Sequence, residues 1–437
     1  MRRREARPKR RQCPPSKQFA CKFAGTSRVR ILFICHRFPF PPNRGGKIRP
    51  FQMIRHLSQR HEVTVASLAF TQEELDAGAG LREHCSEIIA EILPNSTRWP
   101  QAALALPGST PSSVAYFRSS RLRARIEAAW QKKKFDAVMV HCAFVAQYTL
   151  GLNGGLRILD YGDMDSAKWM DYAEHRRFPL SLGYSIEFRK LRRYERAMAE
   201  RFDRITVTTQ GEKEEFKSLG VPRPCTVIPN GVDGNFFQPA AMGGGTKPNI
   251  VFLGRMDYFP NIDGVLWFVR EVYPSIRRAM PSAELQIVGA DPAREILRLR
   301  NIEGVTVTGF VKDVRPYLTE AAVAIAPLRI ARGTQNKILE CMAAGIPVVS
   351  TPQAAKGIQA VPGEHIIVAD GAEDSSRSIL ELLNDRGQRI KLATAARAQV
   401  EHAHSWPESM KILDSVLAEG FSAAAPQDIA APERTRA

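Results

Sequence analysis

The 437-residue sequence lacks most of the short signatures that mark common enzyme classes. It has no GxGxxG after its first apolar strand and no GxxxxGK[ST], which removes the main support for a dinucleotide oxidoreductase or a P-loop NTPase. GxSxG and HExxH are also absent. No apolar run approaches the roughly 20 residues needed to span a bilayer.

Cysteine is sparse: seven residues lie far apart, with no CxxC and no metal-ligand spacing. Several of them fall within apolar strands or helices, which is typical of reduced, buried cysteines in a cytosolic protein. We therefore expect a cytoplasmic protein without a cysteine-based metal site.

Acidic residues are scarce at the N-terminus, where residues 1–28 carry +9 of the total net charge of +17. This segment has no apolar core of a secretory signal, and we expect a basic disordered extension. A nucleic-acid arm and a contact with anionic membrane are the alternatives, and a nucleic-acid partner is the least expected. The C-terminal residues 421–437 are also expected to be disordered.

Alternation of apolar strands and helices begins at residue 29 and predicts parallel sheets. An N-terminal Rossmann-like domain is expected over 29–237, a Pro/Gly-rich linker over 238–249, and a second such domain over 250–403. A last helix, 404–420, is expected to pack back on the N-terminal domain. The fold class is therefore α/β, with two doubly wound sheets facing across a ligand cleft.

Glycines and charges at three strand ends indicate an anion site in that cleft. Gly45 and Gly46 precede the first helix, where free N–H groups favour an anion, and Lys47 and Arg49 add positive charge. A plain tight turn is the alternative. Arg255 ends the first strand of the second domain, where it can bind phosphate in bidentate fashion or be a solvated loop residue.

The third strand end is "ARGTQNKILECMAAGIPVVSTP" (331–352). Its predicted helix opens on free N–H groups that suit a diphosphate, at Gly333, Thr334, Gln335 and Asn336. Lys337 can neutralise the same phosphates, and Glu340, one turn on, can accept two ribose hydroxyl hydrogen bonds. The alternative is a surface ion pair between Lys337 and Glu340, worth about 0.2–0.5 kcal/mol.

Six stretches occur in the order and spacing of a known family: "GG" after the first strand, "VIPNGVD", "FLGR", "LQIVG", "VTGFV" and "LECMAAGIPVVST". From about residue 29 to 418 the sequence resembles the GT-B-fold glycosyltransferases of family 4. The stretches "DYGDMDSAKWMDYA", "LRRYER", "MDYFPNIDG" and "GTQNKILE" resemble a narrower group, the sugar transferases of exosortase-linked exopolysaccharide loci.

The resemblance implies roles for particular residues. Glu340 would bind the nucleotide ribose, Arg255 and Lys337 the diphosphate, and Gly46 would lie near the donor phosphate or the acceptor. The backbone of Gly309, Phe310 and Val311 would contact the base. The family usually carries a carboxylate facing the donor sugar eight residues before the ribose-binding Glu, where this chain has Arg332. The family's Lys shortly after the Gly-Arg pair is also absent.

The acceptor side is expected at the end of the strand "RILDY", where "GDMD" follows. Its DxD pattern resembles a metal motif of a different glycosyltransferase fold, so we expect Asp163 to orient the acceptor hydroxyl instead. Asp165 and Lys168 are weaker candidates. His141, at the end of another strand, is either a site residue or a structural histidine.

The basic residues of helix 183–201 predict contact with anionic lipid, with a solvated helix face as the alternative. Together with these features, the resemblance implies a retaining, metal-independent hexosyltransferase that uses no cofactor, bound at the inner face of the cytoplasmic membrane. Its donor substrate would be a nucleotide diphosphate sugar, and its acceptor a glycan or lipid-linked glycan. A sugar-nucleotide epimerase on the same fold and a degenerate, non-catalytic scaffold are the alternatives; Arg332 is the reason to consider the scaffold.

Overall fold

The computed structural model describes residues 28–423. The predicted extension at 1–28 and tail at 421–437 lie outside the described residues, apart from Arg28 and residues 421–423. Those last three residues continue the final helix rather than a tail, and Phe421 is buried. Within the described range, no helix combines the length and apolarity that crossing a bilayer requires.

The N-terminal half forms a seven-stranded sheet in which all neighbouring strands are parallel. Its strands are β1 (Arg30–Cys35), β2 (Glu62–Ala69), β3 (Glu87–Ile92), β4 (Ala137–His141), β5 (Leu156–Gly162), β6 (Arg204–Val207) and β7 (Cys225–Val227), in the order β3-β2-β1-β4-β5-β6-β7. Its helices are α1 (Gly45–Leu57), α2 (Gln72–Asp76), α3 (Asn95–Leu104), α4 (Ser112–Tyr116), α5 (Ser120–Lys133), α6 (Asp165–Glu174), α7 (Leu180–Ala199) and α8 (Gln210–Lys217). The strand order reverses between β1 and β4, so a ligand crevice is expected at their carboxyl ends.

The C-terminal half repeats this plan with six parallel strands. They are β8 (Asn249–Leu253), β9 (Glu284–Val288), β10 (Val305–Gly309), β11 (Val323–Ala326), β12 (Val348–Ser350) and β13 (Ile367–Val368), in the order β10-β9-β8-β11-β12-β13. The helices are α9 (Phe259–Trp267), α10 (Tyr273–Ala279), α11 (Arg294–Leu297), α12 (Arg315–Glu320), α13 (Asn336–Ala343), α14 (Pro352–Ala355), α15 (Gly371–Asn384), α16 (Arg386–Ala403) and α17 (Trp406–Ala423). Here the reversal falls between β8 and β11.

Continuous apolar runs account for the central strands, because helices cover both faces of each sheet. All five residues of β4 and all five of β8 are buried. The prediction of an α/β fold with two doubly wound sheets is confirmed. Helix α11 is followed directly by a 3₁₀ turn, Arg298–Asn301.

The last helix, α17, packs on the N-terminal domain. Trp406, Leu413 and Phe421 share one buried cluster with residues of β1 and α1. The chain thus crosses between the domains twice, and the two crossings lie side by side. The amide of Val232 donates to the carbonyl of His404 (2.8 Å), and Val232 pairs with Ser405 in a parallel bridge.

A buried ion pair joins α1 to the sheet. Arg49 donates from Nε and Nη2 to the two carboxylate oxygens of Asp160 (2.9 and 2.7 Å), and from Nη1 to the carbonyl of Ile228 (2.7 Å). Lys47 is likewise buried and paired with Glu74 (2.6 Å). The expectation that Lys47 and Arg49 add free positive charge to the glycine loop is therefore wrong, because both charges are already neutralised within the domain.

Replacing Arg49 with alanine should lower the free energy of unfolding by about 3–5 kcal/mol, because Asp160 would be left as a buried charge without its main partner. Urea unfolding measures this loss. Arg55→Ala, an exposed change on the same helix, is the control and should cost no more than about 0.5 kcal/mol. A loss below about 1 kcal/mol in Arg49→Ala would contradict the structural role of the pair.

Candidate functional site

The carboxyl edges of the two sheets face each other, and side chains bridge the gap between them. Asn230 of the N-terminal domain donates to the side-chain carbonyl of Asn336 on α13 (3.4 Å). Arg332, just before α13, forms a bidentate ion pair with Asp171 on α6 (2.5 and 3.1 Å). The predicted cleft therefore exists, and the stretch 331–352 borders it.

Two helix N-termini meet in this cleft. Helix α13 begins at Asn336, two residues later than the sequence suggested, and α1 begins at Gly45. Neither has a side-chain cap on its first-turn N–H groups. A Cβ added to Gly45 would lie 3.8 Å from the side-chain nitrogen Nδ2 of Asn336, the first residue of α13, so the two termini are close neighbours. Uncapped N–H groups and aligned dipoles make this an anion site.

Lys337 adds a positive charge to the first turn of α13. Its Nζ donates to Oδ1 of Asn261 (2.5 Å), and the amide of Asn261 donates to the carbonyl of Arg255 (2.7 Å). Asn261 thus connects two of the predicted diphosphate residues. The sequence analysis missed it, although "PNIDG" at the start of a helix beside Arg255 was the available signal. Burial lowers the pKa of Lys337 to about 7.

Glu340 follows Lys337 by one turn, and burial raises the pKa of its carboxyl to about 7, with Lys337 acting in the opposite direction. Both side chains therefore change protonation state near neutral pH. An exposed ion pair on the helix surface, the alternative interpretation of Lys337 and Glu340, would keep both charges at that pH. Helix α13 keeps them in place, since Ile338, Leu339 and Met342 on its other side are fully buried.

Arg255 is already paired in the structure. Its guanidinium donates to Asp257 (2.8 and 3.1 Å) and to Asp291 (2.5 Å). The hydrogen bonds and charge of Asp257, with those of Asp291, raise the pKa of Arg255. A diphosphate at this position would have to compete with two carboxylates for the guanidinium.

Gly309, Phe310 and Val311 lie farther out, at the end of the edge strand β10. Two strand spacings separate β10 from β8, roughly 10 Å. Gly309 has a positive φ of 75°, and the Phe310 ring is 74% exposed. Among the described residues, no hydrogen bond or ion pair joins this segment to Lys337, so the predicted base site and phosphate site are separate parts of one edge.

The acceptor-side prediction centred on Asp163, whose carboxylate accepts a hydrogen bond from Thr208 (2.7 Å). The same carboxylate lies against Gly333, which has a φ of 60°. A Cβ placed on Gly333 would overlap the Asp163 carboxylate. Asp163 and the loop before α13 are thus in direct contact across the cleft.

Other acidic and basic groups surround Asp163. Glu212 accepts from the amide of Met164 (2.6 Å), and burial, followed by the charge of Asp163, raises the pKa of Glu212 to about 8. Burial also raises the pKa of Asp165, whose carboxylate lies 3.6 Å from Sγ of Cys142. Lys168 Nζ lies 5.4 Å from the centre of the Tyr258 ring, in the other domain.

Two histidines lie at the carboxyl ends of β1 and β4. His141 is buried and shares a hydrogen bond of 2.7 Å between its Nδ1 and Asp160; because a carboxylate only accepts, Nδ1 carries the proton. His36, which the sequence analysis missed, lies 5.6 Å from His141 between ring centres. Burial lowers its pKa well below the ordinary value, and its Nδ1 has no partner among the described residues. Its position directly after β1 was the available signal.

Arg332 occupies the place of the expected sugar-facing carboxylate. Its pairing with Asp171 joins the two domains, and the hydrogen bonds and charge of Asp171 outweigh burial and raise its pKa. Beside it, between the domains, lies a cavity of about 340 Å³ whose walls include Glu212, Gly333 and Lys356. The arginine is therefore a bridging residue here.

Two opposed Rossmann-like domains with an anion site between them define the architecture of a GT-B glycosyltransferase. Residues 43–236 match the family model described as Glycosyltransferase Family 4, and residues 247–385 match the one described as Glycosyl transferases group 1. The matches cover one domain each and together most of the chain. The chain belongs to these glycosyltransferases.

Two relatives show how far the similarity extends. An uncharacterized 44.6 kDa protein in the cps region of Klebsiella pneumoniae is 19% identical over 407 residues, covering 90% of this chain and all of that protein. A GDP-mannose-dependent alpha-(1-6)-phosphatidylinositol monomannoside mannosyltransferase of Mycobacterium tuberculosis is 27% identical over 236 residues. That match covers 48% of this chain and only 60% of the mycobacterial enzyme.

Solved structures share the fold over almost the whole chain. Sucrose-phosphate synthase from Thermosynechococcus elongatus superposes with a TM-score of 0.67 at 16% identity, covering 91% of this chain and 100% of that one. Anabaena HepE in complex with UDP and glucose gives 0.65 at 14% identity, covering 90% and 100%. At these identities the likeness establishes the two-domain architecture alone.

Gly333→Ala should destabilise the protein more than Gly363→Ala does. Both glycines have positive φ, which costs an alanine about 1–2 kcal/mol, but only Gly333 faces a neighbouring carboxylate, whereas Gly363 faces open space. We expect an additional loss of about 1–3 kcal/mol in Gly333→Ala, or an opened cleft that relieves the overlap. Thermal unfolding and small-angle scattering measure the two outcomes.

The double variant Gly333→Ala/Asp163→Ala provides the control for this overlap, because it removes the carboxylate that the new methyl group would meet. Its stability should return toward that of Gly363→Ala. Equal stability of the two single variants, with an unchanged radius of gyration, would contradict the contact between Asp163 and Gly333.

Proposed function

We propose that the chain transfers a hexose from a nucleotide diphosphate sugar to a glycan or lipid-linked glycan, with retention of configuration at the sugar and without a metal ion. The observation that carries this proposal is the meeting of the α1 and α13 N-termini, with Lys337 in the first turn of α13. That arrangement suits the diphosphate of a nucleotide sugar rather than a single carboxylate, because it offers N–H groups from two sides.

The breaking bond places negative charge on the departing diphosphate. The first-turn N–H groups of α13, Lys337 and Arg255 would stabilise that charge as it develops. To reach the phosphate, Arg255 would exchange at least part of its contact with Asp257 and Asp291 for phosphate oxygens. These fixed positive groups are the reason to propose that the reaction needs no metal ion.

Retention follows if the acceptor oxygen attacks the face from which the phosphate leaves. The bond between C1 and the phosphate oxygen breaks, the bond between C1 and the acceptor oxygen forms, and the acceptor proton moves to the leaving phosphate. No side-chain base is then required. Asp163, held by Thr208, would orient the acceptor hydroxyl, and Glu340 would hold the ribose.

The relatives favour certain substrates. The mycobacterial relative is named as GDP-mannose-dependent, and HepE was solved with UDP and glucose. The Klebsiella relative, which the chain covers completely, is in a cps region. With the resemblance to transferases of exosortase-linked loci, these names support a hexose donor and a role in exopolysaccharide synthesis as the proposal to test.

Lys337→Ala and Arg255→Ala should each lower turnover by about 10²-fold or more, since each would remove charge stabilisation from the departing diphosphate. UDP-glucose and GDP-mannose are the donors to assay, with nucleotide release and glycan product measured together. Lys391→Ala, an exposed lysine of the same domain, is the charge-matched control and should retain full activity. Near-normal turnover in both site variants would refute the assignment.

Donor affinity should fall as the pH rises above about 7, because Lys337 loses its proton around that pH and only the protonated form attracts the diphosphate. The loss approaches tenfold per pH unit where deprotonation is complete in the free protein. Titration with UDP-glucose or GDP-mannose from pH 6 to 9 measures it. Lys337→Arg, which stays charged, should flatten the profile; an unchanged slope would show that another group is responsible.

The same assays separate the alternatives. An epimerase would release nucleotide and altered sugar without an acceptor, so product formation that does not depend on added glycan would favour it. A scaffold would bind neither donor, and titration against UDP and GDP sugars would then show no saturation.

A further inference from the structure

A second concave site lies on the N-terminal domain. Its volume is about 570 Å³, and residues from the loop before α4, from the start of α5 and from α7 line it. Four of the lining side chains are cationic and none is a carboxylate; the cations are Arg118, Arg123, Lys190 and Arg193. We call this site the basic cavity. It contains none of the residues assigned above to the donor or the acceptor.

The positive charge of the basic cavity is not neutralised by the protein. Among residues 28–423, no carboxylate pairs with any of its four cations, and Lys190 donates to the carbonyls of Ala105 and Leu106 instead. The nearby Glu187 is occupied by the amides of Ser112 and Ser113 (2.9 and 2.8 Å). The cavity therefore attracts anions.

A polar group without an ordinary hydrogen bond also lies in the wall of this cavity. The hydroxyl of Tyr194 is buried and makes no hydrogen bond of ordinary length and angle among the described residues, although the backbone of Gln147 lies near enough to lower its pKa. A buried hydroxyl normally finds a partner, and a ligand oxygen would supply one.

Exposed apolar side chains adjoin the basic cavity. Leu182 and Ile186 precede Lys190 at four-residue intervals, so all three share one face of α7. Lys190 holds the loop after α3 against this face, where Leu104, the last residue of α3, and Leu106 are 81% and 62% exposed. Leu150 is also exposed and lines the cavity itself. We call these five residues the apolar rim.

Not all basic residues of α7 belong to this surface. Arg192 pairs with Glu215 (2.7 Å), and Arg196 contacts Glu200 (3.5 Å). The domain itself therefore neutralises two arginines of α7, and they do not contribute to this surface. The cationic surface instead combines α7 with Arg118 and Arg123 of another segment.

We propose that the basic cavity and the apolar rim together bind the surface of an anionic phospholipid bilayer. Lipid phosphates would occupy the cavity, and the rim leucines and isoleucine would enter the boundary between headgroups and acyl chains. A soluble anion would contact the cavity alone, so its binding would not account for the five exposed apolar side chains of the rim. This proposal does not depend on the transfer reaction.

Vesicle sedimentation of the full chain tests it. Vesicles of equal parts phosphatidylglycerol and phosphatidylcholine should bind the protein, and pure phosphatidylcholine should not. Arg118→Gln/Arg193→Gln should weaken binding by about tenfold or more. Arg298→Gln/Arg386→Gln removes the same charge from exposed sites of the other domain and should bind like the unmodified chain. Residues 1–28 are identical in all variants, so their contribution cancels.

A second pair of measurements distinguishes a bilayer from a free anion. Leu182→Ser/Ile186→Ser should also weaken vesicle binding severalfold, with unchanged circular dichroism, because both side chains are exposed. Soluble glycerol phosphate should bind far more weakly than the vesicles. The proposal is overturned by equal losses in the two arginine pairs, by full binding of the serine variant, or by glycerol phosphate binding as tightly as the vesicles.

Discussion

The arrangement of the cleft depends on the buried pair between Arg49 and Asp160. The two side chains of a buried ion pair can move apart only slightly, because separation would leave each charge buried without an opposite charge beside it. Asp160 also accepts from Thr206 (2.6 Å) and holds His141, while Arg49 reaches Ile228 and Asn230. Burial alone would raise the pKa of Asp160, but Arg49 and His141 hold that pKa below its ordinary value. The glycine terminus of α1, the strand ends and the segment that contacts Asn336 therefore form one rigid unit.

Two arginines that border the cleft are paired with carboxylates before any donor arrives. Arg255 lies between Asp257 and Asp291, and Arg332 pairs with Asp171 across the domains. Positive charge for a phosphate comes mainly from backbone dipoles and from Lys337, which bonds to the Asn261 amide, lies over the Phe252 ring and is one turn from the carboxyl of Glu340. Such a site suits a ligand with two negative charges, such as a diphosphate. An anion with less charge would gain too little to displace the carboxylates that are already paired with the arginines.

The sequence was sufficient for the elements and for the strand ends that border the cleft, because apolar periodicity and glycine loops are local signals. It could not reveal partners that only folding brings together, such as Asp171 for Arg332 or Asn261 for Lys337. The prediction that Arg49 adds positive charge to the glycine loop was wrong, although the spacing of residues on α1 indicated its burial. Arg49 shares four-residue spacing with Met53 and Leu57, both buried, so α1 turns this arginine toward the core. The buried residues at this spacing indicate that Arg49 is buried as well.

The pairing of Val232 with Ser405 has a mechanical consequence. Both covalent connections between the domains pass through this one bridge, and His404 fastens them further by its contact with the carbonyl of Asn230 (3.0 Å). Two adjacent tethers permit rotation about the line that joins them but resist translation and twisting. Relative rotation of the two domains would therefore be restricted mainly to that line, which keeps the same pair of helix termini facing each other.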